Sequence, residues 1–235
     1  MAILKTEALE SGYDKVMILH GLNINIDQGE IVSVIGRNGI GKSTLMKTII
    51  GLSKTSSGKI YFEDKNVTRS RSYERAWKGV GYVPQGHMVF PGLTVEENLM
   101  MGENINRVKN RKPDYAMIYD YFPKLKERRT QLAGTMSGGE QAMLSIGRVM
   151  TGNVKLMLLD EPSEGVQPNI VEQIGEIILR INKEIGLTVL LVEQHIGLIQ
   201  MVSQRCYAMD KGSIQEELNH DKVMDYDYIK KYLSV

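Results

Sequence analysis

The chain has 235 residues, 42% hydrophobic and 24% charged, which is enough apolar material for a sizeable core in an ordinary globular protein. Its 29 basic and 28 acidic side chains leave a formal charge of +1, which argues against the concentrated basic face that nucleic-acid binding needs. A single cysteine, Cys206, cannot form an internal disulfide and favours a reducing compartment. The opening residues 1–7 have neither the basic nor the apolar region of a secretory signal. The apolar runs 156–159 and 189–192 fall far short of the ~20 residues that span a bilayer. A cytoplasmic chain is expected, and the broken basic stretch 107–112, interrupted by Val108 and Asn110, reads as a solvated loop.

Along the chain, residues 16–26 alternate apolar and polar side chains through Leu22, Ile24 and Ile26, which predicts a half-exposed antiparallel strand. Residues 31–35 are a short β-branched run that suits a buried strand and stops at Gly36. A helix is predicted from Lys42 through Leu45, Met46 and Ile49, with Gly51 as the glycine that ends it. Residues 59–67 and 80–85 read as further strands. From about residue 93 to 150 the pattern turns helical, with Met117, Ile118, Tyr121, Phe122 and Leu125 at three- and four-residue spacing. Residues 154–159 and 187–192 are continuous apolar strands with a helical segment between them, and 221–235 read as a short terminal helix. The implied architecture is an α/β sheet carrying a helical lobe.

The run Gly36-Arg37-Asn38-Gly39-Ile40-Gly41-Lys42-Ser43 fits the G-x-x-x-x-G-K-[ST] pattern between a strand and a helix, the context that this motif requires. Its glycines let consecutive amides turn towards an anion, and the helix behind them adds partial positive charge. Lys42 supplies a full charge for terminal phosphates, Ser43 a hydroxyl for Mg²⁺, and Thr44 continues the cradle. A nucleoside triphosphate site is predicted. Further on, the strand Leu156-Met157-Leu158-Leu159 ends in Asp160-Glu161, at the sheet edge where open α/β sheets bind ligands. Asp160 is assigned to the Mg²⁺ shell and Glu161 to the attacking water, because phosphoryl transfer asks chiefly for positioning and charge neutralisation.

Met136-Ser137-Gly138-Gly139-Glu140-Gln141 narrows the field. Here the chain resembles the ATP-binding-cassette (ABC) ATPase family, whose signature usually reads Leu-Ser-Gly-Gly-Gln, so Met136 and Glu140 are departures. The resemblance implies a P-loop NTPase with a RecA-like core, an N-terminal antiparallel β-subdomain and a helical signature subdomain, all in one domain over 1–235. It implies ATP and Mg²⁺ as ligands and a second cassette, identical or related, whose Ser137, Gly138, Gly139 and Glu140 complete the site across the dimer. Read on its own, Ser137-x-x-Glu140 is a capping box, and Glu140 is expected to turn back onto its own backbone. By the same resemblance Tyr13 lies on the adenine face, Gln85 reaches Mg²⁺ and water, and His195 contacts the γ-phosphate. Gln167 stands where an aspartate is usual.

The stretches 121–129 and 133–141 resemble the ATPases of importers for branched-chain and other hydrophobic amino acids, while Glu164-Gly165-Val166-Gln167-Pro168 is closer to urea and short-amide systems. This implies transmembrane permease subunits as partners, a solute-binding protein at one remove, and a place at the cytoplasmic face of the membrane. Met88, Val89, Phe90 and Pro91 are the expected docking loop for the permease, with filling of the junction between lobes as the plainer reading.

Overall fold

The computed structural model describes residues 1–14, 16–103, 113–152 and 154–233. The expected solvated loop at 107–112 therefore lies outside the described residues. In chain order the N-terminal strands are β1 (Ala2–Tyr13), β2 (Val16–Leu22), β3 (Asn25–Asp27) and β4 (Ile31–Ile35), followed by helix α1 (Lys42–Ile50). Then come β5 (Thr55–Phe62), β6 (Lys65–Asn66), α2 (Ser72–Lys78) and β7 (Val80–Val83). The helical stretch holds α3 (Val95–Glu103), α4 (Tyr115–Tyr121), α5 (Pro123–Glu127) and α6 (Gly138–Met150). The chain closes with β8 (Leu156–Asp160), α7 (Pro168–Ile185), β9 (Thr188–Val192), α8 (Ile196–Val202), β10 (Arg205–Asp210), β11 (Ser213–Leu218), α9 (His220–Met224) and α10 (Tyr226–Leu233).

Two sheets form. The first is antiparallel, in the order β2-β1-β5-β6 with β3 also paired to β1. The second is six-stranded, in the order β11-β10-β4-β9-β8-β7. It is parallel apart from the edge strand β11. β4, β8 and β9 are buried at every position, which is why they read as nearly continuous apolar runs, with Ser33, Asp160 and Thr188 as the polar exceptions. Their alternate side chains serve two cores. Met157, Leu159, Val189 and Leu191 pack with Ile146, Val149, Ile174 and Ile178 of the helices. Leu156, Leu158, Leu190 and Val192 pack with Leu45, Met46 and Ile49 of α1 and with Leu4, Leu9 and Phe62 of the antiparallel sheet. Helix α1 is thus clamped between the sheets with its first turn at the C-terminal ends of β4 and β8.

Some boundaries differ from expectation. The single strand predicted over 16–26 divides into β2 and β3, with residues 23 and 24 between them; Gly21, at φ 62°, lies just before the break. Residues 59–67 form most of a hairpin, turned at Glu63 and Asp64 with φ 48° and 59°. The helical pattern through 117–125 breaks at Phe122 before Pro123, whose ring suits the first position of a new helix. The predicted terminal helix is two helices. Strands β1, β10 and β11 show no clear alternation: β1 is interrupted by register shifts, and β11 carries a polar run, Gln215-Glu216-Glu217, before its buried last residue Leu218. Among the described residues, no helix is long and apolar enough to cross a membrane.

Candidate functional site

The phosphate loop connects β4 to α1. At Gly36, φ is 149° and an added Cβ would stand 2.4 Å from the Met209 carbonyl oxygen, so only glycine fits between the loop and β10. Gly41 is the N-cap of α1 at φ 109°; it contributes no side-chain cap, and the first turn holds no acidic residue. The positive end of α1 is left open to an anion. Lys42 is only 4% exposed and donates to the Gly36 and Arg37 carbonyl oxygens at 2.6 and 2.7 Å. Burial pulls its pKa below the usual lysine value, against the opposing pull of Glu161. Its ammonium lies 3.7 Å from the Glu161 carboxylate.

The two acids at the end of β8 diverge. Asp160 is 1% exposed; its oxygens accept from the Ser43 hydroxyl and the Tyr82 hydroxyl, each at 3.0 Å. Burial raises its pKa, while the Ser43 and Tyr82 hydrogen bonds pull the other way. No Asp160 ion pair to a basic side chain is formed among the described residues. A buried carboxylate beside a serine hydroxyl, with no basic counter-charge bonded to it, is a donor set that suits a hard cation such as Mg²⁺. Glu161 leaves the strand in a left-handed conformation, φ 49°, which is strained for a non-glycine residue and turns its side chain back over the sheet edge. One Glu161 oxygen accepts from Gln85 at 3.1 Å and the other from Gln194 at 2.7 Å.

Tyr13, Asn38, Gly39, Gly41, Lys42, Ser43, Thr44, Gln85 and Glu161, with Ile18, line one cavity of about 260 Å³. The structure therefore brings most of the predicted site together. Tyr13 is 48% exposed at the rim, its hydroxyl accepting from Ser53 at 3.4 Å. Gly36, Arg37 and Ile40 of the loop, Asp160, His195 and residues 137–140 do not line this cavity. His195 is exposed on the far side of the turn that follows β9; its Nδ1 accepts from the Leu198 amide at 3.1 Å and caps α8. It lines a separate cavity of about 280 Å³ with Pro168, Val171 and Glu172. His195, expected by resemblance to contact the γ-phosphate, is not part of the cavity that holds Glu161: after β9, Gln194 bonds Glu161 while His195 caps α8. Gln194 and Tyr82 are the residues that sequence reasoning missed. Tyr82 is set by a distant pairing that no local pattern encodes: β7 runs parallel to β8 and puts Tyr82 opposite Leu158, two residues from Asp160.

Ser137 to Glu140 are also absent from this cavity. They open α6, where Ser137 accepts from the Glu140 amide at 3.4 Å, and Glu140 accepts from the Ser137 amide at 3.0 Å and hydroxyl at 2.9 Å. This is the expected capping box. Arg128 adds an ion pair to Glu140 at 3.2 Å. Burial opposes ionisation of Glu140, but the Ser137 hydrogen bonds and Arg128 outweigh it and hold the carboxyl below its usual range. A Cβ at Gly139 would lie 2.5 Å from Ile170, so the start of α6 packs directly on α7.

An open phosphate cradle with an acid pair in front of it and a capped Ser-Gly-Gly helix tip apart from it is matched by known proteins. The family model described as ABC transporter matches residues 19–164. The chain belongs to the ABC transporter family. The chain is 42% identical over 212 residues to the high-affinity branched-chain amino acid transport ATP-binding protein BraG of Pseudomonas aeruginosa, covering 90% of this chain and 91% of that one. It is 32% identical to the probable branched-chain amino acid transport ATP-binding protein LivF of Archaeoglobus fulgidus, with 97% of each covered. Its fold superposes on a nucleotide-free ATP-binding cassette from an ABC transporter with a TM-score of 0.84, at 28% identity and full coverage of both chains. As a cassette of this family, the chain is an ATP-binding, ATP-hydrolysing transporter subunit.

Proposed function

We propose that this cassette powers an importer of branched-chain or other amino acids from the cytoplasmic face of the membrane, held there by permease subunits. The observation that carries the reading is the 42% identity to BraG across nine-tenths of both chains. In this reading the amides of residues 36–44 and Lys42 hold the ATP phosphates, and Tyr13 supports the adenine from the rim. Ser43, Gln85 and Asp160 would hold Mg²⁺, which neutralises charge on the transferring phosphoryl group. Glu161 orients and deprotonates the attacking water, a task for which its strained backbone fixes the carboxylate in advance. The cavity contains no donor from the α6 tip, so a second cassette supplies Ser137, Gly138 and Gly139 to the γ-phosphate, and hydrolysis follows dimer closure.

The permease is proposed to dock between the lobes. There Met88 is 66% exposed and Phe90 43% exposed. Val89 packs instead against the helical core, so the plainer reading holds for that side chain alone. Asn98, wholly buried, pins the loop by accepting from the Phe90 amide at 2.8 Å and donating to its carbonyl at 3.0 Å. Arg148 stacks 5.0 Å from the Phe90 ring.

A urea or short-amide importer is the second reading, favoured by the Glu164-Gly165-Val166-Gln167-Pro168 segment. Deleting the gene from its source cell and following uptake of labelled leucine and labelled urea separates them. Loss of leucine uptake, restored by the wild-type chain but not by Phe90→Asp, is expected. Loss of urea uptake alone would transfer the role, and loss of neither would remove both readings. Phe90→Asp should still hydrolyse ATP at its basal rate, since Phe90 is absent from the nucleotide cavity.

A further inference from the structure

The segment after β9 is built to deliver one particular side chain to the phosphate loop. Glu193, only 2% exposed, folds back so that its Oε1 accepts from the amides of Gln194 at 2.7 Å and His195 at 3.0 Å. Its other oxygen accepts from the Ser163 amide at 3.4 Å, which ties this turn to the segment that follows Glu161. The Glu161 amide in turn donates to the Val192 carbonyl oxygen at 2.9 Å. The turns after β8 and β9 are therefore cross-braced, and the brace fixes which way residues 194 and 195 face.

Gln194 faces the site. Its Nε2 donates to Glu161 Oε1 at 2.7 Å and to Asn38 Oδ1 at 2.5 Å, joining the hydrolytic carboxylate to the phosphate loop. The carboxylate can only accept, so the amide nitrogen is the atom that must face it. Gln85 holds the opposite Glu161 oxygen at 3.1 Å. Glu161 is thus gripped from both sides by neutral amides. His195 spends its Nδ1 on the Leu198 amide and lines a different cavity.

We infer that Gln194 is a positioning residue for ATP hydrolysis, setting Glu161 against the phosphate loop in the place where a histidine was expected. The inference rests on the reading of Glu161 as the water-activating carboxylate. An amide in that place has a chemical consequence. It donates identically across the physiological pH range, whereas an imidazole titrates near about pH 6.5. Once protonated beside Glu161, an imidazolium would stabilise the carboxylate and weaken it as a base.

The test compares Gln194→Ala, Gln194→His, His195→Ala and Glu161→Gln in the full chain, following steady-state ATP hydrolysis against ATP concentration and pH. For Gln194→Ala, kcat should fall by about tenfold or more while KM for ATP stays within about twofold, the split that marks lost positioning. Gln194→His should recover part of that kcat and bring in a new loss of activity as pH falls through about 6.5. A Gln194→Ala kcat within about twofold of wild type would overturn the inference. So would a His195→Ala loss as large as that of Gln194→Ala, or a Gln194→His pH profile that superimposes on the wild-type one. Glu161→Gln separates the two levels. If it hydrolyses ATP normally, the Glu161 reading falls; if it is inactive while Gln194→Ala is normal, only the role of Gln194 falls.

Discussion

Helices α1 and α6 both begin beside glycines, yet their first turns are put to opposite uses. The N-terminus of α1 carries no side-chain cap and no acid, and its first residue is the buried cation Lys42. The N-terminus of α6 is closed by its own Ser137 and Glu140, with an acid in the first turn and Arg128 behind it. Both ends have unsatisfied amides and partial positive charge. The first is held open within one chain and suits a phosphate directly. The second is already partly satisfied, so it offers the Ser137 hydroxyl and the glycine amides at the edge of a capped turn. That difference fits a site whose cradle is internal and whose lid comes from a neighbouring cassette.

The largest test of this contrast is Lys42→Ala. It removes the one full positive charge that, among the described residues, lines the nucleotide cavity, and phosphate release should fall on the order of 100-fold or more. Retained hydrolysis would mean that the open helix end suffices without the lysine. Asp160→Asn probes the same end from the metal side. Burial raises the Asp160 pKa, so the folded state holds that proton more tightly than the unfolded chain does. Any stability that it lends exists at low pH and is lost as pH rises through the folded value, leaving a buried charge at neutral pH. In buffer without Mg²⁺ or nucleotide, Asp160→Asn should therefore raise Tm by about 2–4 °C per kcal/mol of relieved desolvation. It should also abolish the Mg²⁺ dependence of ATP binding. A lower Tm would show that the carboxylate is structurally needed without metal.

The smallest effect is expected at α6. Gln at position 140 can still accept from the Ser137 amide and keep the cap, losing only a part-exposed ion pair to Arg128 worth ~0–1 kcal/mol. ATPase activity of Glu140→Gln should stay within about twofold of wild type. A large gain would show that the charge opposes the incoming phosphate and would erase the distinction drawn between the two helix ends.

Much of the site was legible because its chemistry is local. The glycine spacing before Lys42-Ser43, the apolar strand ending in Asp160-Glu161 and the Ser137-x-x-Glu140 box each fit within eight residues, where backbone geometry links sequence to position. β4, β8 and β9 were legible for a related reason, since burial on both faces leaves few polar positions, Ser33, Asp160 and Thr188. What escaped was set at a distance. β1 hides its alternation behind bulges, and β10 is identified as a strand by pairing with β4, some 170 residues earlier in the chain.

The sequence by itself determined that a triphosphate cradle, an acid pair and a capped glycine helix tip lie on an α/β sheet, because each is written in short-range spacing and apolar periodicity. Only the tertiary structure decided which neighbour of two reaches the chemistry. Gln194 and His195 are adjacent in sequence, and the buried Glu193 carboxylate, bonded to both amides and to Ser163, sends one to Glu161 and the other to α8. A turn's direction depends on what it is tied to across the fold, and no local spacing encodes that.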